Sequence, residues 1–416
     1  PAPVITDDRA GDSLALLSIY SSMNGIFTWD ASENMRYWKG VELWETTDKY
    51  IKIEADGTIN YSAPVPEDLI GRLKSVEFIA FETKESLPYQ VKYLKTAESI
   101  TFSGNSNTFL KNIVLGNEIC DLVKYGNLRK LTVRAYGLVG LPANFTEFGK
   151  TLISLDLSSN NFEVMGKSGS TINGVKVLGI ESITRKNFPH LRNLYLNKIN
   201  RYDTTKDLSA YTDKKDEKLG FRWTTGFGEG FLTPAEGYNN SYFKELLKWE
   251  ELECLSLSLN MLDGQLPSDA EVKQLLGADK VYTESYIQNA AYKDTISIQD
   301  AEKYLLANGG APRVWPKMKS LSLNLNFLTG KLPDWILYHP YLTFWDPFTM
   351  IFQQELSTTA SKAKNTKGEV ITKFSNEPTN LSNYGFEDDG ITRKRSYYEM
   401  YPKRKPQITD ESEEGN

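Results

Sequence analysis

The chain has only two cysteines and two histidines in 416 residues. Cys120 and Cys254 fall several repeats apart in the register traced below. A disulfide tolerates Cα separations of only about 4–7 Å, so two free, mostly shielded thiols are expected. A chain of this length can bury a core without cross-links, so scarce cysteine does not decide the compartment. His190 and His339 each stand just before a leucine-led segment, at turn positions, and no Cys/His/Asp cluster has metal-ligand spacing. No cofactor or metal is expected. Gly226-Phe227-Gly228-Glu229-Gly230 lacks the lysine, the preceding strand and the following helix of a phosphate loop, and no G-x-S-x-G elbow is present. A basic stripe is missing too. Net charge is −6, and Arg393-Lys394-Arg395 and Lys403-Arg404-Lys405 are offset by neighbouring acids. Nucleic-acid binding therefore has little support. No apolar run approaches the ~20 residues of a transmembrane helix. Nothing here marks an enzyme, although an acid pair for glycoside chemistry needs only proximity in space.

What the chain does have is a pattern written twice. Leu252-Glu253-Cys254-Leu255-Ser256-Leu257-Ser258-Leu259-Asn260-Met261-Leu262 continues to Gly264 and Leu266-Pro267. Met318-Lys319-Ser320-Leu321-Ser322-Leu323-Asn324-Leu325-Asn326-Phe327-Leu328 continues to Gly330 and Leu332-Pro333. The two central leucines of each copy share one face of a short strand, because strand side chains alternate. The asparagine at the ninth position suits a buried corner, where its amide can bond backbone groups left over by the strands. One such coil cannot cover its own apolar face, so neighbours must stack.

The register extends backward from Leu321. Leu155 heads Leu155-Asp156-Leu157-Ser158-Ser159-Asn160, Leu131 lies 24 residues earlier, and Ile100 and Val76 follow upstream, with Ile51 taken as the first coil. Leu194 heads a further copy and Leu178 an irregular one; Trp345 lies 24 residues beyond Leu321. The expected fold class is an α/β solenoid: a curved, right-handed coil with a parallel β-sheet on the concave side, a helical N-terminal cap and two insertions.

The expected organisation is an N-terminal cap over 1–45, a solenoid over 46–347 and a C-terminal cap with a charged tail over 348–416. The cap helix is placed at 12–24, started by Asp12, carrying Leu14, Leu17 and Tyr20, and ended by Asn24-Gly25. Trp29, Trp38 and Trp44 suit a plug on the first coil; a sugar platform is the other reading. The gaps from Leu194 to Leu255 and from Leu255 to Leu321, 61 and 66 residues, each exceed one repeat by about 40. They imply insertions near 200–247 and 268–314. The first is rich in aromatics, Trp223 among them; the second reads as helices over 269–276 and 297–306. Inserted loops either bind or pack on the convex side.

Residues flanking the strand leucines should face solvent on the concave side. Ser, Thr and Asn dominate there, and Lys130, Arg134, Asp156 and Tyr195, with Asn197 beside them, are the distinctive exceptions. These and Trp223 are the candidate binding residues. The face is either a docking surface or merely solubilised.

The Leu-x-Gly-x-Leu-Pro element at Leu262–Pro267 and Leu328–Pro333 resembles the 24-residue leucine-rich repeat of plant receptor ectodomains and secreted inhibitors. Asp12-Ser13-Leu14-Ala15-Leu16-Leu17 followed by Trp38-Lys39-Gly40-Val41 fits the same layout. Plant members brace both caps with paired cysteines, which this chain lacks. With its two insertions it is more similar to secreted or lipid-anchored repeat proteins of gut Bacteroidetes. The resemblance implies an extracellular or cell-surface location, with a lipid anchor on a leader that would precede Pro1. It implies a protein partner, with a glycan as the alternative, and no catalytic residues.

Overall fold

The computed structural model describes residues 4–23, 29–83, 86–105, 113–162, 171–172, 174–199, 242–258, 260, 263–290, 299–323, 327–329, 333–337, 339–340 and 344–346. Most of the first insertion, including Trp223, and the expected C-terminal cap over 348–416 lie outside the described residues. The chain divides into two compact units, Pro1–Thr205 and Lys206–Asn416.

The first unit opens with helix α1 (Arg9–Ser22). Its start lies three residues before the expected one, because Asp8 rather than Asp12 is the cap: the Asp8 carboxylate accepts from Gly11 N–H at 2.8 Å. Asp12 is instead buried, where it accepts from Arg72 Nε at 2.8 Å and from Leu73 N–H at 3.1 Å. The buried stripe is Ala15, Leu16, Ile19 and Met23, one position out of phase with the expected Leu14, Leu17 and Tyr20. Trp29, Trp38 and Trp44 are all buried, and Trp29 stacks on Trp38 with centroids 5.2 Å apart. They are core, and the sugar-platform reading of this cluster falls.

Strand β1 (Val41–Leu43) runs antiparallel to β4 (Leu73–Ile79), and between them stands a hairpin of β2 (Lys49–Ile53) and β3 (Ile59–Pro64). Ile51 therefore does not head a first coil. The spacing suggested one, but Asp56-Gly57 makes a tight turn, with Gly57 at φ +87°, that folds the chain back on itself. Buried Arg129 ties this hairpin to the coils, donating to Ile51 C=O at 3.1 Å and Gly126 C=O at 2.6 Å.

From β4 the unit is a parallel stack. The sheet continues through β5 (Ser99–Ser103), β7 (Lys130–Arg134), β9 (Ser154–Asp156) and β12 (Asn193–Tyr195). Val76, Ile100, Leu131, Leu155 and Leu194 lie in register across these strands, each at most 1 % exposed. Phe78, Phe102, Val133, Leu157 and Leu196 form a second buried ladder two residues on, and Phe78 and Phe102 stack at 4.7 Å. Each such side chain contributes about 1.5–3 kcal/mol of burial. The return segments are 3₁₀ turns, Tyr89–Tyr93, Asn117–Tyr125 and Phe145–Lys150, that send Val91, Ile119, Leu122, Phe145 and Phe148 into the same core.

The turn after the strand recurs as well. Ala80, Ala135, Ser159 and Lys198 occupy the same coil position, and all are left-handed with φ of 53–60°. Between 155 and 194, Leu178 does not head a coil. It ends β11 (Val175–Leu178), which forms a hairpin with β10 (Thr171–Ile172) through Gly174 at φ +76°. This hairpin joins β8 (Leu138–Pro142), itself paired with β6 (Ile113–Val114), in a separate sheet.

In the second unit β13 (Cys254–Ser256), β15 (Ser320–Ser322) and β17 (Phe344–Asp346) are parallel, with Leu255, Leu321 and Trp345 in register. The twin motifs pair again through β14 (Asp263–Gln265) and β16 (Phe327–Thr329). Helix α2 (Tyr242–Leu247) buries Phe243 against Trp315, whose indole N–H donates to Leu246 C=O at 2.6 Å. Among the described residues the second insertion holds three α-helices rather than the expected two: α3 (Asp269–Leu276), α4 (Glu284–Asn289) and α5 (Gln299–Leu306). Thr283, which caps α4 by accepting from Tyr286 N–H, was the overlooked signal. Tyr282, Ile287, Leu305 and Ala311 give this insertion a small core of its own. A short helix, α6 (Asp334–Leu337), follows β16.

Candidate functional site

The site begins with the alternation of the strands. The inward residues of β7, β9 and β12 hold the ladder, which forces Lys130, Thr132 and Arg134, Ser154 and Asp156, and Asn193 and Tyr195 onto the open face. Register then fixes their neighbours. Thr132 lies opposite Asp156 and Asp156 opposite Tyr195; Lys130 lies opposite Ser154 and Ser154 opposite Asn193. The structure thus brings Lys130, Arg134, Asp156 and Tyr195 onto three adjacent strands, about 10 Å from side to side.

Arg134 Nε lies 3.8 Å from Asp156 Oδ2, with side-chain exposures of 48 % and 21 %. An ion pair this open is worth about 0–1 kcal/mol, so the fold does not depend on it. Asp156 is oriented by a second contact: its Oδ1 accepts from Ser158 N–H at 2.9 Å. Lys130 is exposed and forms no ion pair among the described residues. Tyr195 and Asn197 are half-buried. The arrangement can offer two cationic donors, one carboxylate and a phenol to a ligand lying across the strands. Upstream, β5 contributes only Ser99, Thr101 and Ser103, and β4 contributes Glu77 and an exposed Ile79.

Two residues expected on this face are not open. Ser158 is 2 % exposed; its hydroxyl accepts from Asn197 N–H at 3.1 Å and joins one coil to the next. Ser258, in the second unit, lies 2.9 Å from the Ser322 hydroxyl. The alternation places both outward, but β9 and β13 end before them and each hydroxyl is engaged by the next coil. Trp223 lies outside the described residues.

At the ninth position Asn160 and Asn260 are buried as expected, Asn105 is half-buried, and Asn326 lies outside the described residues. Asn160 donates to Val133 C=O and Leu157 C=O, both at 2.8 Å, and accepts from Tyr136 and Leu138 N–H, both at 3.2 Å. Asn260 is fully buried. Where the repeat departs from asparagine another residue takes the corner: Tyr136 donates its hydroxyl to Phe81 C=O at 2.7 Å. Neither cysteine is in a disulfide among the described residues; Cys120 is buried, and burial pushes its thiol up to about 12. His339 is buried with Nε2 2.9 Å from Trp315 C=O, a structural contact, and burial together with Arg192 holds half-buried His190 below its usual range. Among the described residues no group of His, Cys, Asp or Glu could hold a metal, and no helix is long and apolar enough to cross a membrane.

No family model matches the chain, and no curated protein matches it. Among solved structures it is similar to PEPR1–AtPEP1 at 13 % identity and a TM-score of 0.33, covering 80 % of this chain and 37 % of that one. It is similar to InlP of Listeria monocytogenes at 17 % identity and a TM-score of 0.26, covering 63 % of this chain and 51 % of that one. A repeat protein of Bacteroides eggerthii matches at 12 % identity and a TM-score of 0.26, covering 76 % of this chain and 53 % of that one. The chain therefore spans between about a third and a half of the length of these structures.

Proposed function

We propose that this leucine-rich repeat protein is a non-enzymatic interaction module that docks a protein partner on the strand face of its first unit. The observation carrying this reading is the cluster of Lys130, Arg134, Asp156 and Tyr195 on adjacent strands, positioned by the buried ladder beneath it rather than by the open Arg134–Asp156 ion pair. Arginine and tyrosine are residues that recur at interface hot spots. The surrounding hydroxyls give a flat surface that a protein can cover without burying unpaired charge. The insertions remain a second contact region in this proposal. On the strength of the resemblance, the protein works outside the cell or at its surface, held by a lipid anchor.

The test is crosslinking and recovery from intact cells of the source, comparing the wild type with Lys130→Glu/Arg134→Glu and with Tyr195→Ala. The proposal expects at least one protein to be recovered by the wild type and lost with both variants. If every recovered protein is retained by both, the strand face is not the docking surface. The alternative, a glycan partner, rests on the aromatic-rich first insertion, since flat rings stack on sugar faces. A glycan array bound by the wild type and not by Trp223→Ala would replace the protein reading with it.

A further inference from the structure

We propose that the outer edge of β1 is a second binding site, which takes a short extended peptide carrying one acidic and one basic side chain. Among the described residues β1 has a strand partner on one side only, β4. In that antiparallel ladder Glu77 N–H bonds Gly40 C=O and Trp44 N–H bonds Arg72 C=O. The alternation therefore turns the N–H and C=O of Leu43 away from β4, to the open side. An edge of this kind is a template for one more strand.

Side chains around β1 give the edge a chemistry. A cavity of about 570 Å³ is lined by the whole of β1 and by Arg9, Arg36 and Glu45. Lys74 and Asp48 also reach it but neutralise each other at 3.2 Å. Arg9 donates to the Asn34 amide oxygen at 2.7 Å, and the Arg36 guanidinium lies over its neighbour Tyr37. Neither arginine is ion-paired with a carboxylate among the described residues, and neither Glu42 nor Glu45 is ion-paired with a cation. Two guanidiniums and two carboxylates thus face one opening without closing on each other. A peptide strand with a carboxylate for the arginines and a cation for the glutamates satisfies both, while its backbone pairs with Leu43. The site is separate from the cluster on β7, β9 and β12.

The test pans a randomised octapeptide library displayed on phage against the full chain. We expect enriched sequences of extended character that combine acidic and basic residues. Their affinity should fall by about tenfold or more with Arg9→Glu/Arg36→Glu. N-methylation of alternate amides in an enriched peptide should cause a loss at least as large, since it removes backbone pairing and leaves the side chains. Lys130→Glu/Arg134→Glu should leave peptide binding unchanged, so failure of the strand-face reading and failure of this one are separable. Both exposed arginines can be replaced without touching the core, which an unchanged melting temperature would verify. Three outcomes would overturn the proposal: no enrichment over the double variant, tolerance of N-methylation, or a wild-type dimer in sedimentation that Arg9→Glu/Arg36→Glu dissolves. The last would assign the edge to a second copy of the chain.

Discussion

Replacing Asn160 with alanine should be among the most damaging single changes in the first unit. Its amide is fully buried and serves five backbone groups drawn from two successive coils. Alanine leaves the N–H groups of Tyr136 and Leu138 without that acceptor in a site that water does not reach. An abandoned buried donor costs about 1–3 kcal/mol, and both bonds are long at 3.2 Å, which favours the lower half of that range. The sum is about 3 kcal/mol, with some further loss from the three carbonyls. For a unit of this size that lowers the melting temperature by about 6–12 °C. The assay is urea and thermal unfolding followed by far-UV circular dichroism and by tryptophan fluorescence, with Ser154→Ala as the surface control. Asn160→Asp should restore the acceptor but set an oxygen against Val133 and Leu157 C=O and bury a charge. Its carboxyl would have a raised pKa in the folded state, so this variant should be more stable at acid pH and lose stability as pH rises through that value. A cost for Asn160→Ala below about 1 kcal/mol, no more than an ordinary substitution, would refute the claim that the asparagine corner holds the coils together.

Asp12→Ala should cost about 2–3 kcal/mol, because it leaves Leu73 N–H without its acceptor and Arg72 with Asp7 alone, at 2.9 Å; Asp12→Asn, which keeps an acceptor, should cost less in the same unfolding assay. Cys254 should react with a thiol reagent at pH 8 well before Cys120. The Cys120 thiol stays protonated up to about 12, so its rate should follow unfolding rather than pH; equal rates in native protein would contradict its burial. Gly149→Ala should destabilise strongly, since a Cβ there would meet the Asn187 carbonyl oxygen far inside van der Waals contact; an unchanged melting temperature would show that the backbone can move aside.

Much of the coil was legible because its signal is periodic. Leu131 and Leu155 could be placed from spacing, Leu194, Leu255 and Leu321 from the motif each heads, and the parallel registers that join them within each unit agree. The misses share a cause. Ile51 and Leu178 satisfied the period but belong to hairpins whose chain reversals carry Gly57 and Gly174 at positive φ. Asp12 looked like a cap by residue type, yet Asp8 took that role, because only the fold brings Arg72 to Asp12 across sixty positions.

The sequence by itself determined that aliphatic residues must be buried at intervals of about two dozen, and hence that strands stack in parallel with their flanking residues exposed. That follows from local geometry, since alternation along a strand is a property of the backbone. Tertiary structure alone decided which polar side chains join coils and which stay open to a partner. Ser158 and Asp156 occupy successive outward positions, yet the first is buried against Asn197 of the next coil and the second stays beside Arg134. Such a distinction depends on contacts between residues far apart in the chain, and no local pattern carries it.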